Sequence, residues 1–310
     1  MASSPITIPV IHFNDVYEMT RSVKTAKNFR LTDDEGKLHD NFDHVIGFSR
    51  KIEEIRESWT GKQQEGVGKK REGLLLFSGD IFSPSVESTL TEGRNMVHLM
   101  NELAPDACVP GNHEFDFSRE RFNQLVESCN FPWVLSNAEE QTKDGWTTLK
   151  YLHRYTVLEA GPDEQKLRIG IIGLISADTV SKTNSQARGT FRLCEPNSNE
   201  NEEMKKKCMK LAAELRGEPE KCDLVFALTH GVFDEDIDLG KHANCYTVGD
   251  FSSLGKGVLK DTPGIDLILG GHDHEYFLGK GVKLIETTFP EGKRDPAKTQ
   301  GALDNDDGLL

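Results

Sequence analysis

Carboxylates, imidazoles and a carboxamide fall in five short clusters, each placed where an apolar run stops. HFNDVY (residues 12–17) carries Asp15 and Tyr17. LLLFSGD ends in Asp80, and CVPGNHEFD supplies Asn112, His113 and Asp116. LVFALTHG reaches His230, and IDLILGGHDHE reaches His272 and His274. Singly, each cluster has an ordinary explanation. An Asp after Ser-Gly is a turn or helix cap, and a lone histidine is more often a satisfied core or surface residue than a ligand. Together they form a ligand set of oxygen and imidazole, the choice of hard and borderline divalent cations, and no cysteine stands among the candidate ligands. Two such ions activate water, align it with phosphorus and steady the leaving oxygen of a phosphate ester. Glycine precedes Asp80, Asn112 and His272, which admits close backbone approach at each.

Overall charge makes the cations necessary. Lys and Arg number 37 against 51 Asp and Glu, giving a net charge of -14 that repels nucleic acid, anionic membranes and phosphorylated small molecules alike. A phosphate pocket on this chain needs its own positive charge. Two divalent ions contribute +4, enough to leave net positive charge facing a phosphate dianion after carboxylate ligands take their share. The six cysteines (Cys108, Cys129, Cys194, Cys208, Cys222, Cys245) are sparse and signal neither a disulfide framework nor a thiolate zinc cluster. A structural zinc protein is therefore disfavoured. MASSPITIPVIHFND reads as a strand entrance, with no basic region before a long apolar stretch, and no apolar run reaches roughly 18 residues. The expectation is a cytoplasmic protein without a membrane segment.

Positioning elements follow from the apolar pattern. Runs rich in Val, Ile and Leu predict strands at Ile6–Phe13, Leu74–Ser78, Trp133–Ser136, Tyr155–Leu158, Leu167–Ile175, Asp223–Leu228, Ile265–Leu269 and Val282–Phe289. Helical spacing links Val45, Phe48, Ile52, Ile55 and Trp59 on one stripe, with Asn41 or Asp40 as cap. It recurs at Met96–Leu103, at Phe122–Val126, and across Met204, Cys208, Leu211, Ala212 and Leu215. Lys62–Gly73, Glu195–Glu203, Gly240–Thr262 and the tail from Pro290 read as polar loops. Alternating strand and helix make the class α/β, in which ligands collect at the carboxyl ends of strands.

These blocks, with FSGDIFSPSVEST, MNELAPDACVPGNHEFDF and PWVLSN, resemble the calcineurin-like metallophosphoesterases, and among them the 5′-nucleotidase branch, from about Ile6 to about Tyr276. The resemblance implies a four-layer sandwich, two β-sheets flanked by helices, with a two-metal site at the strand ends. It implies Asp80 as the carboxylate bridging both ions, Asp15 and His274 on one, Asn112, His230 and His272 on the other, and His113 as a catalytic imidazole oriented by Asp116. The cofactors would be two divalent ions among Mn, Zn, Fe, Co and Mg, and the substrate a small phosphorylated molecule, a nucleotide, cleaved by a metal-bridging hydroxide in nucleotide catabolism. Two departures stand out. The branch carries His two positions after the first Asp, where this chain has Tyr17, readable either as a phenolate ligand or as a buried aromatic with its hydroxyl bonded nearby. Residues 1–289 would form the catalytic domain and residues 290–310 a polar tail, with no C-terminal nucleotide-binding domain following. The competing expectation is a non-catalytic or truncated relative that binds metal, ligand or a protein partner.

Overall fold

The computed structural model describes residues 6–17, 42–59, 72–194, 200–242 and 264–274. β1 (Val10–Phe13), β2 (Leu74–Phe77) and β3 (Ala107–Cys108) form a parallel sheet in the order β1-β2-β3. The apolar run from Ile6 joins this ladder only at Val10. Pro9 has no N–H to donate, although its carbonyl still accepts from Leu74 N at 2.9 Å. A second sheet has the order β10-β9-β7-β6, built from β6 (Thr156–Ala160), β7 (Leu167–Ile175), β9 (Leu224–His230) and β10 (Leu267–Leu269). Its pairs are parallel except β6 with β7.

Side chains alternate along β7 and β9 between two cores, as a two-residue period requires. Ile169, Ile171 and Ile175, with Phe226 and Leu228, join the fully buried β2 in the main core, so the two sheets face each other across it. Ile172, Leu174, Val225 and Ala227 point the other way. They pack with Met204, Cys208, Leu211, Ala212 and Leu215 of a covering helix, Glu200–Arg216. Helices Arg94–Leu103 and Arg119–Glu127 bury Met96, Met100, Leu103, Phe122 and Leu125 in the main core. The result is the α/β arrangement of helix-flanked sheets. A third, antiparallel sheet is added to it, formed by β4 (Ala138–Thr142) between β5 (Gly145–Thr148) and β8 (Phe191–Leu193). Among the described residues no helix is long and apolar enough to cross a membrane.

The chain departs from the sequence expectation in other places as well. Trp133–Ser136 is a connector between sheets and not a strand: Trp133 bridges to Cys108, Val134 bridges to His153, and Ser136 N donates to Gly173 O of β7 at 2.7 Å. Successive residues serve different sheets, so no ladder develops. In the helix Phe42–Glu57, among the described side chains of the expected stripe, Ile52 alone enters the core, at 3% exposure against 37% for Phe48 and 36% for Ile55. Arg56 is buried instead, its guanidinium donating to Leu103 O at 2.7 Å and Ala104 O at 3.2 Å, where it satisfies carbonyls at the end of Arg94–Leu103. The expected loops are also shorter, since helices begin at Glu200 and run from Phe233 to His242. The strand Val282–Phe289, the caps Asn41 and Asp40, and the tail lie outside the described residues.

Candidate metal centre

Parallel strands of one sheet open their carboxyl ends along a single edge, and a few hydrogen bonds bring the edges of the two sheets together. Asp15 N donates to Gly79 O at 2.9 Å and Val16 N to Asp80 O at 3.0 Å, joining the loops after β1 and β2. Ser78 ties β2 to the other sheet: its Oγ donates to Leu269 O at 2.7 Å, and its carbonyl lies 2.7 Å from His230 Nδ1. All five sequence clusters meet at this junction.

Two groups of ligand atoms result, and Asp80 belongs to both. On one side Tyr17 Oη lies 2.9 Å from Asp15 Oδ1 and 2.7 Å from His274 Nε2, which is itself 3.2 Å from Asp15 Oδ1. On the other, His230 Nε2 lies 3.2 Å from Asp80 Oδ2 and 3.2 Å from His272 Nδ1. Ligand atoms of Asp80, His230 and His272 all stand within 4.8 Å of one another. Asp80 Oδ2 is also 3.2 Å from Tyr17 Oη, while its Oδ1 accepts from His113 N at 2.9 Å. One oxygen of Asp80 thus faces both groups, and the other is held by the backbone. Asp15 Oδ2 accepts from His272 N at 2.9 Å, which fixes the first carboxylate to the last histidine loop.

Backbone geometry shows what this crowding requires. Asp15 (φ 54°), Asp80 (φ 65°), His272 (φ 103°) and His274 (φ 56°) all occupy the left-handed region that side chains rarely adopt. A Cβ on Gly111 would collide with Asp80 Oδ1 and lie 2.5 Å from His230 Nε2, and one on Gly79 (φ 88°) would lie 2.6 Å from His230 Nδ1. The close approach expected of these glycines is therefore present.

His113 begins a short 3-10 turn, and its Nδ1 lies 2.7 Å from Asp116 Oδ2. This contact leaves Nε2 as the ring nitrogen for a ligand. Burial disfavours its charged form, but Asp116 and Asp80 outweigh that and hold the imidazole above the ordinary histidine range. Between these two residues lies a group that sequence reading missed. The Glu114 carboxylate is buried and accepts four backbone amides: Asp80 at 2.7 Å, Ile81 at 2.6 Å, Phe82 at 3.2 Å and Gly111 at 2.5 Å. Burial, with the charge of Asp80, pushes this carboxyl up to about 7, against the pull of its amides. It locks the loop after β2 to the loop after β3, and so sets Asp80 against Asn112. Glu114→Ala leaves those amides unpaired in the interior, at about 1–3 kcal/mol for each left unsatisfied. We expect metal-free Glu114→Ala protein to lose at least about 3 kcal/mol in urea denaturation, beyond the usual range for a point substitution. A loss under 1 kcal/mol would show that the loops hold without the clamp.

Asp178 was missed as well. It follows β7, whose carboxyl end opens at the same edge as that of β9, and its Oδ2 lies 2.8 Å from His272 Nε2. The signal available in the sequence was a polar SAD directly after the strand Leu167–Ile175.

The donor set fits divalent cations. Asn112 Oδ1 is buried and has no hydrogen-bond partner among the described residues, an arrangement native proteins avoid and a cation would satisfy. Burial works against the charged form of His230, yet the hydrogen bond and charge of Asp80 push this imidazole up to about 9. Burial likewise raises Asp80, but His230 and His113 prevail and keep it below the usual carboxylate range. The pocket therefore favours positive charge beside Asp80.

A fold of facing sheets with this ligand edge defines a metallophosphoesterase. The family model described as calcineurin-like phosphoesterase matches residues 8–276, and the chain belongs to that family. It is 30% identical over 232 residues to a 5′-nucleotidase of Vibrio vulnificus (strain CMCP6), covering 74% of this chain and 37% of the relative. An apyrase of Tabanus yao is 26% identical over 270 residues, covering 87% and 39%. The chain thus spans less than half the length of these curated relatives. The solved NAD nucleotidase of Haemophilus influenzae superposes with a TM-score of 0.58 at 19% identity, over 88% of this chain and 39% of that one, a likeness of fold.

Proposed function

We propose that this chain is a two-metal hydrolase of phosphate esters, a 5′-nucleotidase-like phosphomonoesterase acting on nucleotides. The observation that carries this reading is the convergence of Asp80, His230 and His272 ligand atoms within 4.8 Å at the strand ends. The names of the curated relatives, a 5′-nucleotidase and an apyrase, support a nucleotide as substrate.

In this reading Asp80 would be shared by both ions. Asp15, His274 and the Tyr17 oxygen would hold one, and Asn112, His230 and His272 the other. When bound, the cations supply Lewis acidity toward the phosphate and lower the pKa of water. His113 acts through Nε2, steadying charge on the phosphoryl oxygens or protonating the departing alkoxide, and Asp116 at 2.7 Å fixes its tautomer. A module that only bound metal would have no use for this pair, which favours catalysis. The test is phosphate release from AMP by the full chain, stripped with chelator and restored with Mn, Zn, Co, Ni or Mg in turn. Release restored by at least one metal is expected, and no release under any of them overturns the proposal.

Tyr17 receives a specific role here. Its hydroxyl touches Asp15, Asp80 and His274, and its ring stands edge-on to His113 at 5.6 Å. Tyr17→Phe keeps the ring and removes only the oxygen. We expect Mn²⁺ affinity at one of two sites to fall about tenfold, or roughly 1.4 kcal/mol, with the other unchanged in calorimetric titration. Parent-like affinity at both sites in Tyr17→Phe would make the phenol a packing group.

A further inference from the structure

His272 faces two ways. Its Nδ1 looks into the metal cluster, 3.2 Å from His230 Nε2, while its Nε2 meets Asp178 Oδ2 at 2.8 Å and Lys182 Nζ at 3.0 Å. These outer partners make opposite demands. A carboxylate only accepts, so it requires a proton on Nε2 and leaves the Nδ1 lone pair for the cluster. An ammonium only donates, so it requires the lone pair on Nε2 and drives the proton to Nδ1, where it blocks ligation. Lys182 Nζ also lies 2.7 Å from Asp178 Oδ2, so the two compete within one small triangle.

Asp178 is placed by a short helix, Ala177–Lys182, fastened to the centre itself. Thr179 Oγ1 and Ser176 N both donate to the carbonyl of His230, and Ser176 Oγ caps the helix by accepting from Thr179 N. The strand end that presents His230 therefore also sets the outer partner of His272. Neither charged residue holds up the core, since the side chains of Asp178 and Lys182 are 34% and 50% exposed.

We propose that Asp178 is a positioning residue: it keeps the His272 proton on Nε2 and thereby presents Nδ1 as a metal ligand, while Lys182 moderates that hold. This rests on the two-ion reading above. Outer partners of ligating histidines are commonly worth 10–100-fold in metal affinity.

Opposite signs at neighbouring surface residues distinguish this role from a structural one. In metal-free full-length protein titrated with Mn²⁺ and followed by the paramagnetic resonance of free Mn²⁺, Asp178→Ala should weaken one site 10–100-fold. Asp178→Glu should recover most of the loss. Lys182→Ala should bind as tightly as the parent or a few-fold more tightly, because the carboxylate then acts unopposed. The melting temperature of the metal-free protein should be the same in all of them. In parallel, nitrogen-15 spectra of the metal-free protein, with His272 assigned by substitution, should show the Nε2–H tautomer in the parent and a shift toward Nδ1–H in Asp178→Ala. Parent-like Mn²⁺ affinity in Asp178→Ala, or an unaltered His272 spectrum, overturns the proposal. A chain that takes up no Mn²⁺ at all would refute the two-ion reading while the histidine spectra still decide the tautomer.

Discussion

Asp80→Ala is expected to carry no metal, against two equivalents in the parent, and to release phosphate at least about 1,000-fold more slowly. Oδ1 of Asp80 accepts from His113 N, while Oδ2 faces both ligand groups, 3.2 Å from Tyr17 Oη and 3.2 Å from His230 Nε2. In the two-ion reading a carboxylate shared by both cations would screen their mutual repulsion. Its loss would then act on both ions at once, whereas Asn112→Ala should weaken mainly one.

Loss of the fold is a separate question. Asp80 is buried, and its removal frees one backbone amide and leaves His230 facing a void, a cost of about 1–3 kcal/mol that a domain of this size tolerates. The Glu114 clamp binds the backbone amide of residue 80 and not its side chain, so the loop keeps its shape in the variant. Circular dichroism should match the parent, and only the parent should gain melting temperature on adding Mn²⁺, because a cation stabilises a fold in proportion to its affinity for it. Two metal equivalents retained in Asp80→Ala would refute the bridging role.

The strand-end clusters were legible because most of these ligands follow closely on a clear apolar run, and parallel strands must share an edge; the strand before Asn112 has only two residues, Ala107–Cys108, and was not among those expected. Asp15, Asp80, Asn112, His230, His272 and His274 needed no knowledge of loop shape to be grouped. What the sequence concealed acts through the backbone or through a partner's far side. Glu114 sits between His113 and Phe115 and looks like an exposed acid in a turn. Its importance lies in four amides from two loops, which no pattern in one dimension records. Asp178 reads as the first-turn acid of a short helix, and only the meeting of the loops after β7 and β10 gives it His272. The third sheet escaped for another reason. AEEQT and GWTT lack apolar alternation, because Glu139 pairs with Arg192, which in turn stacks over Trp146 at 3.6 Å on the exposed side.

Helix faces were read less well than strand ends. The stripe through Phe48 and Ile55 assumed that apolar spacing alone selects the buried face. Arg56 has a stronger claim, since its guanidinium finds two free carbonyls at a helix end while its aliphatic stem covers apolar surface. Phe48 remains useful at the margin, edge-on to Phe13 at 5.5 Å.

His113→Ala should separate chemistry from metal binding. The imidazole touches Asp116 through Nδ1, and the link to Asp80 runs through the His113 backbone amide, which alanine keeps. Both ions should therefore remain, with Mn²⁺ affinity within a few-fold of the parent. The side chain is about one-third exposed, so its removal opens no sealed cavity. Turnover should nevertheless fall by about 100-fold or more, the usual scale for a positioned acid or charge stabiliser, corresponding to roughly 2.7 kcal/mol of transition-state stabilisation. The loss should appear in kcat more than in KM, because the group acts on charge that develops during the reaction. Leaving-group dependence then divides its two roles. If His113 protonates the departing alkoxide, an aryl phosphate, whose phenolate leaves without help, should lose much less than AMP. If it steadies the phosphoryl oxygens, both substrates should lose alike. A parent-like kcat with AMP, at full metal occupancy, would remove His113 from the chemistry and leave the ligands alone to account for it.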